Sequence, residues 1–290
     1  MKKKLLVLGA NGLLGSEFMS FDYSPTWEVL GHSRNEGILA CADMSAPEEV
    51  MDMLNKLNPD AVLNLVGMTN VDFCESYPNE AYVGNVKTLE NVASWIRNAK
   101  KSVQLIHIST DQVYDGQGPH AEDKVDLKNY YAFSKYAGEL VAGMAGGLII
   151  RTNFFGKSKC ENRASLTDWL FSNLTENNPI QVFEDVLFSP LSMPTLCEML
   201  SLAIEKKLVG VYNLGARDGL SKADFAYKFA LSLRLNCNIM ARCSSDEVNF
   251  IKTYRPKDMR LDVQRFERAA GVTLPSLVVE IDRATKEYQK

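Results

Sequence analysis

The chain has few residues with which to hold a metal. Its three histidines, His32, His107 and His120, are far apart in the sequence. The six cysteines, Cys41, Cys74, Cys160, Cys197, Cys237 and Cys243, include no Cys-x-x-Cys pair, so neither a zinc site nor a disulfide framework is expected. Scattered, reduced cysteines fit a cytoplasmic setting. Basic clusters are missing as well. Net charge is -4, and the run Lys2-Lys3-Lys4 reads as a solvated chain start. A nucleic-acid-binding face would need lysine and arginine gathered together. No apolar stretch approaches the roughly 20 residues of a membrane span. The run after the lysines ends at Leu8, too short for the apolar core of a secretory signal. No metal, nucleic acid or membrane partner is therefore expected.

What the chain does have is a rhythm. Short apolar runs at Lys4–Leu8, Trp27–Gly31, Ala61–Leu65, Val103–Ile108 and Leu148–Ile150 read as strands. Between them Leu13–Phe18, Ala46–Leu57, Asn79–Asn98 and Tyr130–Met144 carry helical spacing, the third as one long helix. Such alternation predicts βαβ units and a parallel sheet, whose strands are apolar throughout because both faces are covered. After Arg151 the rhythm changes. Helices are expected at Ser165–Leu174, Thr195–Ile204 and Ser221–Leu233 and in the tail beyond Leu274, with strands at PIQVF and Val209–Leu214. Residues 1–154, joined by 184–215, are expected to form a dinucleotide-binding domain. Residues 155–183 and 216–290 are expected to form a smaller substrate-binding region.

The first strand runs into GANGLLG, which places Gly9, Gly12 and Gly15 between a strand and a helix. This is a variant of the dinucleotide fingerprint. The turn needs a residue tolerant of unusual φ, the pyrophosphate needs close backbone approach, and the helix start offers free N–H groups. Gly9, Asn11, Gly12, Leu13 and Leu14 are accordingly cofactor-binding candidates. The second strand ends in GHSR, where an NAD site usually carries a carboxylate. Ser33 and Arg34 stand there instead. A guanidinium suits a 2′-phosphate, so NADPH is the expected cofactor, with NADH as the alternative. Asp43 and Met44 are placed to approach the adenine.

Tyr131-Ala-Phe-Ser-Lys135 is a YxxxK pattern. Composition alone would produce about 0.8 such matches, so context decides its weight. The pair is spaced i, i+4 on a predicted helix and shares one face. Upstream, a strand ends in HISTD, placing Ser109, Thr110 and Asp111 where open α/β sheets bind ligands. Reducing a carbonyl takes a hydride to carbon and a proton to oxygen. Tyr131 is the candidate acid, and a neighbouring Lys135 ammonium is expected to favour its phenolate. A hydroxyl, Thr110 in preference to Ser109, would hold the substrate oxygen.

With these motifs on one chain, the sequence resembles the extended short-chain dehydrogenase/reductases, and among them the dTDP-4-dehydrorhamnose reductase family. The resemblance runs through GANGLLG, DAVLNLVGMTNVDFCE, GNVKTLENVA, HISTDQVYDG, YYAFSKYAGE, IIRTNFFG and FSPLSM. It implies a Rossmann-type doubly wound parallel sheet with a smaller C-terminal α/β substrate region. It implies NADPH-dependent reduction of the 4-keto group of a nucleotide-linked deoxysugar, in polysaccharide biosynthesis, by a possible homodimer. Thr110, Tyr131 and Lys135 match the family's catalytic residues. Leu65, Val66, Gly67 and Thr69 match its cofactor-lining segment, and Asn153 falls near the nicotinamide. Val71, Asp111, Phe154, Phe155 and Arg255 are the candidate substrate contacts. The chain departs from the family near the sugar. LVGM replaces small residues and a histidine after the third strand, and NFFG stands where a tryptophan is usual.

Two other functions share these parts. A nucleotide-sugar epimerase or dehydratase would keep NAD bound, but the strand end GHSR carries no carboxylate and Asp111-Gln112 is not a carboxylate pair. A non-catalytic NADP-binding regulatory subunit would not need Thr110, Tyr131 and Lys135 together.

Overall fold

The computed structural model describes residues 2–21, 26–34, 40–161 and 163–289. Seven strands make one parallel sheet: β1 (Lys3–Leu8), β2 (Trp27–Ser33), β3 (Ala40–Cys41), β4 (Ala61–Asn64), β5 (Gln104–Thr110), β6 (Leu148–Thr152) and β7 (Gly210–Leu214). Their order across the sheet is β7-β6-β5-β4-β1-β2-β3. The chain builds outward from β1 to β3, then crosses back to β4 on the other side of β1. That reversal opens a crevice at the carboxyl ends of β1 and β4.

Side-chain alternation explains why the strands read as unbroken apolar runs. Leu5, Val7, Leu63, Ile106 and Ile150 enter one core, while Leu6, Leu8, Val62, Leu105 and Ile149 enter another on the opposite face. A strand covered on both sides has no polar face to display.

The helices are α1 (Leu13–Met19), α2 (Pro47–Leu57), α3 (Val71–Ser76), α4 (Pro78–Tyr82), α5 (Thr88–Asn98), α6 (Tyr130–Met144), α7 (Leu166–Thr175), α8 (Met193–Glu205), α9 (Lys222–Ser232), α10 (Gln264–Ala270) and α11 (Leu277–Thr285). Helices α2 and α5 pack together on one face, and α1 and α8 on the other. The helix expected over Asn79–Asn98 is continuous, with α4 and α5 joined by a π-helical segment, Val83–Lys87. The wider turn buries Asn85. Its Oδ1 accepts from Met68 N at 2.7 Å, and its Nδ2 donates to Ser134 Oγ at 2.8 Å.

The chain between β6 and β7, and beyond β7, adds a smaller lobe. It contains three two-stranded ribbons: Phe154–Phe155 with Leu191–Ser192, Leu187–Phe188 with Leu220–Ser221, and Ile180–Phe183 with Met240–Cys243. Glu280 of α11 ties this lobe to the start of α8 by accepting from Ser192 N, Ser192 Oγ and Thr195 Oγ1 at 2.6–2.9 Å. Among the described residues no helix is long and apolar enough to cross a membrane, and no group of three His, Cys, Asp or Glu is placed to hold a metal.

Candidate active site

The glycine loop turns at the carboxyl end of β1. Gly9 has φ +82°, and a Cβ there would stand 3.3 Å from the backbone of Leu65 and Val66, which follow β4. A side chain at Gly15 would drive into the Gly9 carbonyl and the Ala10 backbone. Gly9 is therefore closed to larger residues by its φ and the loop after β4, and Gly15 by the close approach of α1 to the glycine loop.

A cleft of about 710 Å³ opens beside this loop. Gly9, Asn11, Gly12, Ser33, Arg34, Asp43, Met44, Leu65, Val66, Gly67 and Thr69 all line it, so the structure gathers most of the predicted cofactor residues on one surface. Arg34 is exposed at the end of β2. Asp43 is less available than the sequence suggested. Its Oδ1 accepts from Ser45 N at 2.9 Å and Ser45 Oγ at 2.8 Å, and these bonds hold its carboxyl below the usual range. His32, not singled out from sequence, donates from Nε2 to Ala42 O at 2.9 Å, while its buried Nδ1 meets no partner among the described residues.

A second cavity, of about 280 Å³, continues from the first. Leu13, Leu14, Thr110, Asp111, Tyr131, Lys135, Asn153 and Phe154 line it. Three elements deliver the polar groups. Thr110 and Asp111 sit at the end of β5, Asn153 just past β6, and Tyr131 and Lys135 on the first turns of α6. The start of α6 is fixed by Asn129, whose side chain accepts from Ala132 N at 2.8 Å.

The two hydroxyls of HISTD have separate duties. Ser109 Oγ donates to Glu139 at 2.5 Å, and Glu139 is paired with Arg151 at 2.6 Å in a buried cluster beneath the site. The Thr110 hydroxyl instead donates to Asp111 Oδ1 at 3.3 Å and accepts from Gln112 N at 3.2 Å. Burial pushes the Tyr131 phenol up to about 12, partly opposed by Thr110 and reinforced by the charge of Asp111. This corrects the expectation that the Lys135 ammonium governs Tyr131. Burial dominates, and the phenol stays protonated, which is the form that can donate. Lys135 is pulled down to about 8 by its own burial, with Glu139 opposing, and its Nζ donates to Ile108 O at 2.7 Å. Asp111 is pushed up to about 6 by burial despite a hydrogen bond from Asn153 Nδ2 at 2.7 Å and the positive charge of Lys222.

Three predicted substrate contacts, Phe155, Val71 and Arg255, do not line this cavity. Phe155 is 1% exposed and packs edge-on against Phe225 in the core. It neighbours Phe154 in a short strand, so the two rings face opposite ways. Val71 is 2% exposed and packs with Cys74, Ala81 and Tyr131 behind the site. Arg255 pairs with Asp72 at 2.9 Å beside Thr253 and Tyr254. A further cavity, of about 570 Å³, was not foreseen. It is largely apolar and aromatic, with Trp169, Phe183, Phe250 and Lys222 on its walls. Residues from α7, α9 and the Ile180–Phe183 strand meet there, and no local sequence pattern announces it.

The sequence profile of the family described as RmlD substrate binding domain matches residues 3–290. The chain belongs to this family. Among relatives of the RmlD family member, dTDP-4-dehydrorhamnose reductase of Shigella flexneri is 28% identical over 85% of this chain and 86% of its own. A structure of dTDP-4-dehydrorhamnose reductase from Bacillus anthracis in complex with NADP superposes with a TM-score of 0.87, at 24% identity, covering 99% of each chain. The ortholog from Clostridium acetobutylicum superposes with a TM-score of 0.88, at 22% identity, covering 99% of this chain and all of that one. The RmlD family member thus shares its fold with these reductases from end to end.

Proposed function

We propose that this RmlD family member is an oxidoreductase that uses NADPH to reduce the 4-keto group of a nucleotide-linked deoxysugar. The observation that carries the reading is the continuity of two cavities. The cleft holding Gly9, Gly12 and Arg34 runs into the one holding Thr110, Tyr131 and Lys135, with Gly9, Gly12, Gly67 and Thr69 on both.

The residues present fit a nicotinamide dinucleotide. Gly9 leaves a cradle that a Cβ would narrow, and His32, whose Nδ1 has no partner among the described residues, lines the same cleft. Arg34 suits the 2′-phosphate by charge and by its planar array of donors. NADP in the Bacillus anthracis reductase supports the same assignment. When bound, the dihydronicotinamide supplies the hydride.

The chain's own groups do the rest. Thr110 holds the substrate carbonyl oxygen, and Tyr131 donates its proton to that oxygen as charge develops there. Lys135, anchored by Ile108 O, has donors to spare for the cofactor ribose. Asp111 and Phe154 bound the sugar. The aromatic cavity of Trp169, Phe183 and Phe250 suits a stacked base, and Lys222 on its wall feels the charge of Asp111.

The test is turnover. Purified protein incubated with NADPH and a panel of 4-keto sugar nucleotides should consume NADPH stoichiometrically with a hydroxylated product. Protein that carries tightly bound NAD and shows no net NADPH consumption would sink the reductase reading in favour of an epimerase or dehydratase.

A further inference from the structure

Beyond the ribbon strand Phe154–Phe155 the chain passes over the crevice rather than away from it. Lys159 Nζ meets Glu17 Oε2 at 2.9 Å and Ser20 Oγ at 2.7 Å, both on the α1 side. Cys160 Sγ donates to Asn11 O, inside the glycine loop, at 3.2 Å. Arg163 Nη2 donates to Thr69 Oγ1, on the loop after β4, at 2.9 Å. The glycine loop and the β4 loop are the two walls of the crevice, so these bonds span it.

Arg163 is also special among the residues of the cleft. Six residues line both cavities: Gly9, Gly12, Leu65, Gly67, Thr69 and Arg163. Arg163 is the one with a charge. Among the described residues no carboxylate pairs with it. The other cations of the two cavities stand at the ends, Arg34 in the first and Lys135 in the second, the latter committed to Ile108 O. The helix beginning at the glycine loop has only seven residues, so its dipole offers limited help to an anion. A dinucleotide stretched from Arg34 to Lys135 would place its diphosphate at the junction, where Arg163 is the available side-chain cation.

We propose that Lys157–Glu161 and Arg163 form a strap across the bound cofactor, in which the Arg163 guanidinium ligates the dinucleotide diphosphate. The inference rests on the cofactor assignment above. Arg163 exchanges a neutral hydroxyl partner, Thr69, for an anionic one. Two parallel N–H···O bonds from one guanidinium suit a diphosphate well. Because the strap is pinned to both walls, the cofactor leaves only when those contacts open. Arg163 then controls residence time as well as affinity.

The test compares the full chain with its Arg163→Met and Arg163→Lys variants, using NADPH and adenosine 2′-monophosphate as probes. The second probe reaches Arg34 but has no diphosphate. Arg163→Met should weaken NADPH by about tenfold or more, the usual consequence of losing a charge-assisted bond, with faster dissociation. Its affinity for adenosine 2′-monophosphate should not change. Arg163→Lys should recover part of the loss. NADPH should also slow alkylation of Cys160 by iodoacetamide, read by peptide mapping, in the wild type. Equal weakening of both probes would assign Arg163 a general structural role and overturn the proposal. So would unchanged NADPH binding, or Cys160 alkylation indifferent to NADPH. Wild-type protein that binds no NADPH overturns the cofactor assignment itself, and the strap with it. Wild-type binding that survives Arg163→Met overturns the strap alone.

Discussion

The Lys135 ammonium donates to the Ile108 carbonyl at 2.7 Å, which anchors a helix side chain to the strand that delivers Thr110. Burial holds this ammonium down to about 8. Its charge is therefore present below that pH and lost as pH rises through it. The kcat/KM for NADPH should decline above about pH 8 in the wild type. A Lys135→Arg variant, whose guanidinium does not titrate there, should be slower but flat across the same range. An alkaline decline unchanged in Lys135→Arg would remove Lys135 from the pH response.

Tyr131 is the proposed proton donor, and its hydroxyl is the one group removed in Tyr131→Phe. Positioned proton transfer contributes about 10²–10⁴-fold. The variant should lose kcat on that scale while NADPH affinity, set elsewhere in the cleft, stays unchanged. Fluorescence titration and steady-state kinetics measure the two separately. Retained turnover would assign the proton to another group.

Arg34 is expected to select the phosphorylated cofactor. Hydrogen bonds to charged groups contribute about 1.5–3 kcal/mol, so Arg34→Gln should raise the NADPH Kd by roughly 10–150-fold. NADH affinity should be unaffected. Parallel losses for both cofactors would show that Arg34 supports the fold of the loop rather than the 2′-phosphate.

Phe154 and Phe155 are neighbours with opposite surroundings, cavity and core. Phe155→Ala should cost about 3–5 kcal/mol, typical of a buried aromatic, read as a lower urea midpoint. Phe154→Ala should leave the midpoint nearly unchanged and raise the KM for the sugar nucleotide. The reverse pattern would mean the strand is seated the other way round.

Much of this architecture is legible in the sequence for a physical reason. Strands buried on both faces must be apolar throughout, and Leu5–Leu8, Ala61–Leu63 and Leu148–Ile150 are. Helix α6 spans Tyr130–Met144, the range its pattern predicts, because Asn129 caps it and Gly146–Gly147 follow it. The two-residue β3 leaves no periodic signal. The π turn at Val83–Lys87 was hidden because one added residue per turn scarcely alters an apolar pattern. Val71 and Phe155 misled because proximity along the chain says nothing of the face a side chain takes. Arg163 and Lys222 escaped notice because their meaning lies in what surrounds them after folding.

The edge strand β7 pairs with β6 in the register Gly210↔Leu148 to Leu214↔Thr152, yet the chain reaches it only after building part of the smaller lobe. The two lobes are thus stitched rather than strung. Recombination at one breakpoint between β6 and β7 would seat an edge strand from one parent on a sheet from another, together with whichever α8 came with it. Exchange of the smaller lobe between relatives by shuffling therefore calls for paired crossovers, on either side of the segment that contains α8 and β7. Drift within the smaller lobe, one side chain at a time, meets no such obstacle.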